Sequence, residues 1–191
     1  MYPTRRQTII AGLAAWQAPT ARSADPDPAS LLRAGGVVAA FRHALAPGTF
    51  DPPGFTLGNC ATQRNLSDQG RAQAQAIGAW FRTRALTPAR VRSSPWCRCV
   101  DTATLAFGSA QTWAALGSPA GQSRETVAAH LQELHQALAV AARQRGRFEV
   151  WVTHMFVIAD LTGQNMGSGD GVLLAPGDAG RMRVLAPLAL R

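Results

Sequence analysis

The stretch of sequence that decides the fold is residues 36–43, Gly-Val-Val-Ala-Ala-Phe-Arg-His. Its first six residues form an apolar run without polar alternation, which is typical of a strand covered on both faces. Arg42 and His43 follow at the end of this run. Residues 148–154, Phe-Glu-Val-Trp-Val-Thr-His, have a similar arrangement, with His154 directly after a mostly apolar run. The two segments predict buried strands that each end beside a histidine.

Helices and loops are predicted around these strands from the apolar spacing and from the positions of Gly, Pro and Ser. Ser67 can cap one helix, and Ser123 precedes another. In chain order the predicted elements are a helical turn (31–34), a strand (36–41), a long loop (47–65), a helix after Ser67 to about Arg84, a strand (88–94), a helix (98–107), an irregular region (108–123) with at most a short strand (112–116), a helix after Ser123 that ends before Gly146, a strand (148–153), a helix beginning within 157–162, and strands at 172–175 and 182–185.

This alternation predicts an α/β fold, a three-layer α/β/α sandwich with a mostly parallel central sheet. In such sheets, ligands bind beyond the carboxyl ends of the strands. Arg42 with His43, Ser93 shortly before Arg98, and His154 all follow predicted strand ends. We therefore expect three distant segments to contribute to one site.

The residue types at these strand ends suit phosphoryl transfer. An uncharged imidazole has a free lone pair for nucleophilic attack, and nearby arginines lower its pKa and so favour that form. A guanidinium can bind two phosphate oxygens at once and can match charge that develops in the transition state.

Four ordered segments resemble the motifs of the phosphoglycerate-mutase-like branch of the histidine phosphatase superfamily. An Arg-His pair alone is a weak signal, but four motifs in the right order and structural context are fairly specific. The resemblance extends from Val37 to about Thr162. The segments are Phe41–Ala44, Leu66–Gly70, Ser93–Ala103 and Val152–His154.

The resemblance implies a phosphoglycerate-mutase-like fold and a site built from four residues. His43 would be phosphorylated, Arg42 and Arg98 would hold the phosphoryl oxygens, and His154 would complete the pocket. It further implies a small phosphorylated substrate and no metal or organic cofactor.

Two departures from the family pattern affect this interpretation. Ala44 replaces the usual glycine after the nucleophilic histidine, which narrows the space beside the imidazole. Family members often place an acidic proton donor between the second arginine and the second histidine, and by order alone Asp101, Glu125 and Glu133 are candidates. Asp101 follows Arg98 by three residues, so an ion pair between these two is the better interpretation.

The composition indicates one globular domain, and its excess of arginine is typical of a solvated surface with a few anion contacts. Of 191 residues, 47% are hydrophobic and 16% charged, a balance that can support a core. All 19 basic residues are arginine, and the formal net charge is +8. Because the arginines are scattered without a basic run, no nucleic-acid partner is predicted.

The first residues have the pattern of an export signal. Arg5 and Arg6 precede a mild apolar run at 9–18, which resembles a twin-arginine signal. About ten apolar residues cannot span a hydrocarbon core of ~30 Å, so no stable membrane anchor is expected. The predicted division is a signal peptide at 1–24 and a histidine phosphatase domain at 25–191, with a periplasmic or secreted location.

In an oxidising compartment the three cysteines allow one disulfide. Cys97 and Cys99 are too close in sequence to be natural partners, so Cys60 is expected to pair with one of them. Their spacing is a weak match to zinc, and no metal site is predicted. His130 and His135 are separated by ~140° around a helix, cannot share a metal, and are expected at surface or rim positions.

The leading hypothesis from the sequence is an exported phosphatase that hydrolyses a phosphomonoester through a phosphohistidine on His43. The alternative is an exported phosphate- or phosphosugar-binding protein on the same fold, with little or no turnover because its acid is missing. The sequence does not indicate the oligomeric state.

Overall fold

A computed structural model describes residues 27–177 and 182–189. The predicted signal peptide at 1–24 therefore lies outside the described residues. Within them, the elements in chain order are α1 (Pro28–Ala34), β1 (Val37–Arg42), a 3₁₀ turn (Cys60–Thr62), α2 (Asp68–Arg82), β2 (Arg90–Ser93), α3 (Cys97–Phe107), β3 (Gln111–Thr112), a second 3₁₀ turn (Ala114–Leu116), α4 (Arg124–Ala141), β4 (Phe148–Thr153), α5 (Met155–Thr162), β5 (Gly171–Pro176) and β6 (Met182–Leu188).

The strands form one six-stranded sheet in the order β3-β2-β4-β1-β5-β6. β4 pairs in parallel with both β1 and β2, and β2 pairs in parallel with β3. β5 runs antiparallel to β1, and β6 antiparallel to β5. The predicted α/β fold with a mostly parallel sheet is confirmed. The carboxyl ends of the neighbouring parallel strands β2, β4 and β1 lie at the same edge of the sheet.

Two apolar cores cover the two faces of the sheet, because successive side chains of a strand point to opposite sides. On one face, Phe41 of β1 packs against Phe81 of α2, with 6.1 Å between the ring centroids. On the other face, Trp151 of β4 lies in a separate cluster with Leu134 of α4 and Ile158 of α5. This division produces the predicted three layers, with β1 and β4 buried between helices.

The start of α2 is fixed beside the loop that follows β1. Ser67 caps the helix as predicted, since its Oγ accepts a hydrogen bond of 3.1 Å from the amide of Gly70. Gly70 also lies so close to the carbonyl of Leu45 that any side chain there would clash. Because Gly70 has no side chain, α2 can pack directly against the loop that follows β1.

Two predicted strands differ in extent from the structure. The expected strand at 112–116 is only the two-residue β3, followed by a 3₁₀ turn, and β3 pairs with just the last two residues of β2. β6 instead continues beyond 185 to Leu188, through Pro187. Because β6 is an edge strand, a proline can be accommodated there without breaking a central ladder. No helix among the described residues is long and apolar enough to cross a membrane.

Candidate active site

Three parallel strands bring the predicted site residues together. In the register of the sheet, Arg42 at the end of β1 is opposite Thr153 at the end of β4. The amide of His43 donates a hydrogen bond of 2.9 Å to the carbonyl of Thr153, which directly precedes His154. β2 ends on the other side of β4 and leads into α3, which carries Arg98.

His43 is held in one tautomer by the backbone. Its Nδ1 lies 2.8 Å from the carbonyl oxygen of Ala44, and because a carbonyl only accepts, Nδ1 carries the proton. The lone pair is therefore on Nε2, which accepts a hydrogen bond of 3.3 Å from Nε of Arg98. The Ala44 side chain is buried in a small cluster with Leu66 and Ala74. The imidazole is thus oriented with its unprotonated nitrogen beside a guanidinium, as a nucleophile requires.

His154 contributes a second, differently held imidazole. The His43 and His154 ring centroids are 5.6 Å apart. Nε2 of His154 is 2.8 Å from the Ser94 hydroxyl and 3.6 Å from the Cys99 sulfur. Nδ1 makes no hydrogen bond within the described residues, so it is the ring nitrogen left for a ligand. Trp96 packs edge-on against this ring at 5.2 Å and helps to fix it.

Three arginines surround the two imidazoles. Arg98 is 4% exposed and makes no hydrogen bond through Nη2 among the described residues, so this donor remains for a ligand. Arg42 is anchored through Nη1 to the carbonyl of Met166 at 2.9 Å. Arg64 binds carbonyl oxygens of the loop that follows β1, including that of Gly48 at 2.7 Å. Nε of Arg42 and Nε of Arg64 are buried without a partner, and such donors favour an anionic ligand.

These side chains line a cavity of about 370 Å³ whose inner part is cationic and whose mouth is aromatic. Its size lies in the range of small-molecule sites. Phe50 and Phe156 both line the cavity, yet they are 70% and 42% exposed. Phe55 also lines it and packs against Trp96, with 6.0 Å between the ring centroids. The cavity can thus hold an anion at its base and an apolar group at its entrance.

Burial keeps both imidazoles uncharged. It is the main reason that the pKa of His43 is lowered from 6.5 to about 3, and the charges of Arg98 and Arg42 act in the same direction. The hydrogen bond to Ala44 opposes this effect. Burial, followed by the charge of Arg98, also lowers the pKa of His154 well below 6.5. At neutral pH His43 therefore has its lone pair available.

The lowered pKa values predict acid sensitivity. Both histidines bind a proton more weakly in the folded chain than in the unfolded chain, so acid favours unfolding. The contribution of the neutral histidines to the free energy of unfolding is fully present above about pH 6.5, the pKa of histidine in the unfolded chain. It is lost as the pH falls toward the pKa in the folded chain, which is about 3 for His43. We expect the free energy of unfolding to fall by up to ~1.4 kcal/mol per pH unit for each histidine.

Urea denaturation between about pH 7 and pH 4 measures this effect. The His43→Asn variant should show a shallower loss of unfolding free energy than the wild type. Equal slopes for the two proteins would show that His43 does not titrate differently in the folded and unfolded states.

A disulfide joins Cys60, in the 3₁₀ turn of the loop, to Cys97 at the start of α3, directly before Arg98. The pairing left open by the sequence is thereby resolved within the described residues, and Cys99 is the buried free cysteine. Burial raises the pKa of the Cys99 thiol to about 12, so it is not a reactive thiolate. Gln63 adds a second link, because its side-chain oxygen accepts a hydrogen bond of 3.0 Å from the Cys97 amide.

The acids suggested by sequence order do not line the cavity. The predicted ion pair between Asp101 and Arg98 is wrong: Asp101 pairs with Arg71 of α2 at 3.8 Å, because its position on α3 faces that helix. Glu125 is exposed in the first turn of α4. Glu133 accepts a hydrogen bond of 3.2 Å from the indole of Trp113.

Asp51 is the acidic residue of the cavity that the sequence did not predict. Its carboxylate lines the cavity and binds Nη1 of Arg98 with both oxygens, at 2.8 and 3.1 Å. No motif surrounds Asp51; the only signal is its place in the long loop that leaves the site-bearing strand. Arg64, in the same loop, also lines the cavity.

His130 and His135 lie half-buried on α4 and neither lines the cavity. Within residues 27–177 and 182–189, no group of His, Cys, Asp and Glu side chains is arranged to hold a metal ion. The ionisable groups that line the cavity are two imidazoles, three guanidiniums and one carboxylate.

The chain matches one family profile in sequence and several solved structures in fold. The profile of the histidine phosphatase superfamily (branch 1) matches residues 59–117. No curated protein matches the chain in sequence.

Three solved structures illustrate the likeness in fold. The protein histidine phosphatase SixA, complexed with tungstate, is 19% identical with a TM-score of 0.53, over 80% of this chain and 96% of that chain. A phosphoserine phosphatase mutant from Entamoeba histolytica, in complex with phosphoserine, is 12% identical with a TM-score of 0.59, over 81% and 98%. The mycobacterial glucosyl-3-phosphoglycerate phosphatase, in complex with VO3, is 18% identical with a TM-score of 0.56, over 78% and 97%.

The fold and the family profile agree. They confirm the predicted resemblance to the histidine phosphatase superfamily and its phosphoglycerate-mutase-like fold.

Proposed function

We propose that this protein is a phosphatase that hydrolyses a phosphomonoester through a phosphohistidine formed on His43. The observation that carries the proposal is the orientation of this imidazole: Nδ1 is bonded to the Ala44 carbonyl, and Nε2 faces the guanidinium of Arg98 in a cationic cavity. The names of the similar structures support it, since SixA is a protein histidine phosphatase and two others are phosphatases of phosphoserine and of glucosyl-3-phosphoglycerate.

In the first step, Nε2 of His43 attacks phosphorus, a nitrogen–phosphorus bond forms, and the ester oxygen leaves with the electrons of its bond to phosphorus. Arg98 and Arg42 bind the phosphoryl oxygens and match their charge in the transition state. Nδ1–H of His43 stays bonded to the Ala44 carbonyl, which stabilises the positive charge on the phosphorylated ring. His154 completes the oxygen contacts through Nδ1.

In the second step, water attacks the phosphohistidine, the nitrogen–phosphorus bond breaks, and inorganic phosphate leaves. The lone pair returns to Nε2 of His43 while Nδ1 keeps its proton, so the ring is again neutral, which is the form that burial favours by lowering its pKa. The same cationic groups stabilise both transition states, so one cavity suffices for the complete cycle.

An aryl phosphate is the natural first probe because the cavity mouth presents aromatic surfaces, notably Phe50 and Phe156. We expect the protein to release phosphate from 4-nitrophenyl phosphate and from phosphoserine. Saturable binding of phosphate without turnover of any ester, at a protein concentration equal to that of the substrate, would contradict the proposal and would indicate the phosphate-binding alternative.

Reduction of the disulfide is expected to weaken both stability and activity. Cys60 and Cys97 are 37 residues apart, and closing a loop of this length contributes about 3–4 kcal/mol to the free energy of unfolding. The bond also holds the loop that carries Asp51 and Arg64 against the start of α3.

Urea denaturation and turnover with and without dithiothreitol measure both effects. The double variant Cys60→Ser, Cys97→Ser should behave like the reduced protein and should not respond to dithiothreitol. An unchanged free energy of unfolding after complete reduction would show that this crosslink does not stabilise the fold.

We further propose that the protein works outside the cytoplasm, in the periplasm or beyond. The Cys60–Cys97 disulfide supports this location, since such bonds persist in oxidising compartments. Arg5 and Arg6 before the apolar run at 9–18 support export by the twin-arginine route. Periplasmic protein should begin near residue 25, and replacement of both arginines by lysine should retain the chain in the cytoplasm. Full-length protein confined to the cytoplasm of the wild type would contradict the proposal.

A further inference from the structure

Asp51 is the only carboxylate among the described residues that line the cavity. Its side chain is 7% exposed and its position is fixed by several donors. Oδ1 accepts from Nη1 of Arg98 at 2.8 Å and from the Arg64 amide at 2.9 Å. Oδ2 accepts from Nη1 of Arg98 at 3.1 Å and from the Trp96 indole at 3.1 Å. A loop residue held by two guanidinium contacts, an amide and an indole is in a defined position.

We propose that Asp51 is the acid that protonates the leaving oxygen of the substrate and, in the second step, the base that accepts a proton from the attacking water. This inference rests on the proposed function, because it requires phosphoryl transfer to His43.

The geometry around Arg98 supports the assignment. One guanidinium contacts the nucleophile and the carboxylate through different nitrogens: Nε to His43 Nε2, and Nη1 to Asp51. A phosphoryl group that is bound by Arg98 and attacked by His43 therefore lies close to Asp51. In phosphoryl transfer the leaving oxygen departs roughly in line with the attacking atom, toward the cavity and away from the imidazole. Among the described residues that line the cavity, only Asp51 carries a carboxyl group that can give this oxygen a proton.

The charges of the cavity allow Asp51 to gain its proton when substrate binds. Burial alone raises the pKa of Asp51, but the Arg64 amide hydrogen bond and the hydrogen bond and charge of Arg98 hold it below its usual value. The charged groups facing it are Arg98, Arg64 and Arg42, while both histidines are neutral. A phosphate dianion compensates those arginines and places negative charge beside the carboxylate, and both effects raise its pKa. Substrate binding thus shifts Asp51 toward the protonated form that an acid catalyst requires.

The proton and electron balance is complete. In the first step the carboxyl proton of Asp51 passes to the ester oxygen as the phosphorus–oxygen bond breaks and the bond to His43 forms. In the second step the carboxylate takes a proton from water as the oxygen of that water bonds to phosphorus and the bond to His43 breaks. The products are an alcohol and inorganic phosphate, and Asp51 is again protonated for release or exchange with solvent.

The test uses the dependence of rate on the leaving group. Asp51→Asn keeps an oxygen that can accept from the Trp96 indole, but its amide cannot serve as an acid. With phenyl or alkyl phosphates, kcat/KM of this variant should fall by about 10²–10⁴-fold, the usual contribution of a general acid. With 2,4-dinitrophenyl phosphate, whose leaving group needs no proton, the loss should be below about tenfold. Asp51→Glu, which retains an acid, should recover part of the activity on phenyl phosphate.

A matched control is Glu133→Gln, which removes a carboxylate outside the cavity and should leave kcat/KM unchanged for every ester. A uniform loss across the leaving groups in Asp51→Asn would overturn the inference, since it would show that Asp51 only positions Arg98. If Asp51→Asn does not fold, Asp51→Glu takes its place. Because the longer side chain displaces the acid, its loss of kcat/KM relative to the wild type should be larger for phenyl phosphate than for 2,4-dinitrophenyl phosphate, and an equal loss for the two esters would also overturn the inference. Absence of turnover in the wild type would instead overturn the proposed function itself, so the two failures are distinguishable.

Discussion

The His43→Ala protein is expected to lose at least about 10⁴-fold in kcat for any phosphomonoester that the wild type hydrolyses. The imidazole supplies the nucleophilic atom, and the remaining arginines cannot form the covalent intermediate in its place. In the proposed mechanism His154 donates to a phosphoryl oxygen through Nδ1–H while its Nε2 accepts from the Ser94 hydroxyl, so neither nitrogen of this ring has a free lone pair for attack. The variant should still bind phosphate, since the guanidiniums are intact.

The control for this prediction is His135→Ala, which removes a half-buried histidine of α4 outside the cavity. It should retain wild-type turnover, so that a general effect of losing an imidazole can be separated from loss of the nucleophile. If His43→Ala kept more than about a tenth of the wild-type kcat, another group would be attacking phosphorus.

Arg98→Lys is expected to lower kcat/KM by about 10²–10³-fold even though the positive charge is kept. The guanidinium contacts His43 through Nε and Asp51 through Nη1, and Nη2 remains for a phosphoryl oxygen. A single ammonium cannot make contacts in these separate directions. We therefore expect kcat to fall and KM to rise, because the nucleophile and the bound phosphoryl oxygens each lose a hydrogen-bond donor.

Arg82→Lys is the matched control, because Arg82 lies on α2 and donates to the carbonyl of Ala106 outside the cavity. It should leave kcat/KM unchanged. Wild-type kinetics in Arg98→Lys would show that a positive charge alone suffices at this position, and that the geometry of the guanidinium does not contribute to the rate.

The sequence predicted most of the fold because its strongest patterns reflect burial. β1 and β4 are apolar runs since helices cover both faces of the sheet, and Ser67 marks the start of α2 because its hydroxyl caps an amide. The sequence predicted a short strand at 112–116 but not the bounds of β3, because a pairing of two residues leaves no periodicity.

The predicted site followed from topology. Arg42, His43 and His154 stand at the ends of parallel strands, and Arg98 stands in the first turn of the helix that follows a third strand; the sheet brings all four together. Their catalytic roles remain a proposal.

Asp51 could not be found in this way, because it enters the cavity from a loop whose path depends on tertiary contacts. Those contacts include the disulfide to Cys97, the Trp96 indole and Arg98 itself. Sequence order pointed to acids between Arg98 and His154, whereas the carboxylate that lines the cavity, that of Asp51, precedes Arg98. The pairing of Asp101 likewise depended on the packing of α2 against α3, which spacing along one helix does not reveal.

The covalent intermediate is the most direct test of the central claim. The protein should be mixed with phosphorus-labelled 4-nitrophenyl phosphate, quenched in alkali within one turnover, digested and mapped by mass spectrometry. We predict one phosphoryl group, stable to alkali and labile to acid, on the peptide that contains His43, and none in His43→Ala. Steady turnover with no phosphorylated His43 at any quench time, or a phosphoryl group on another residue, would contradict the claim.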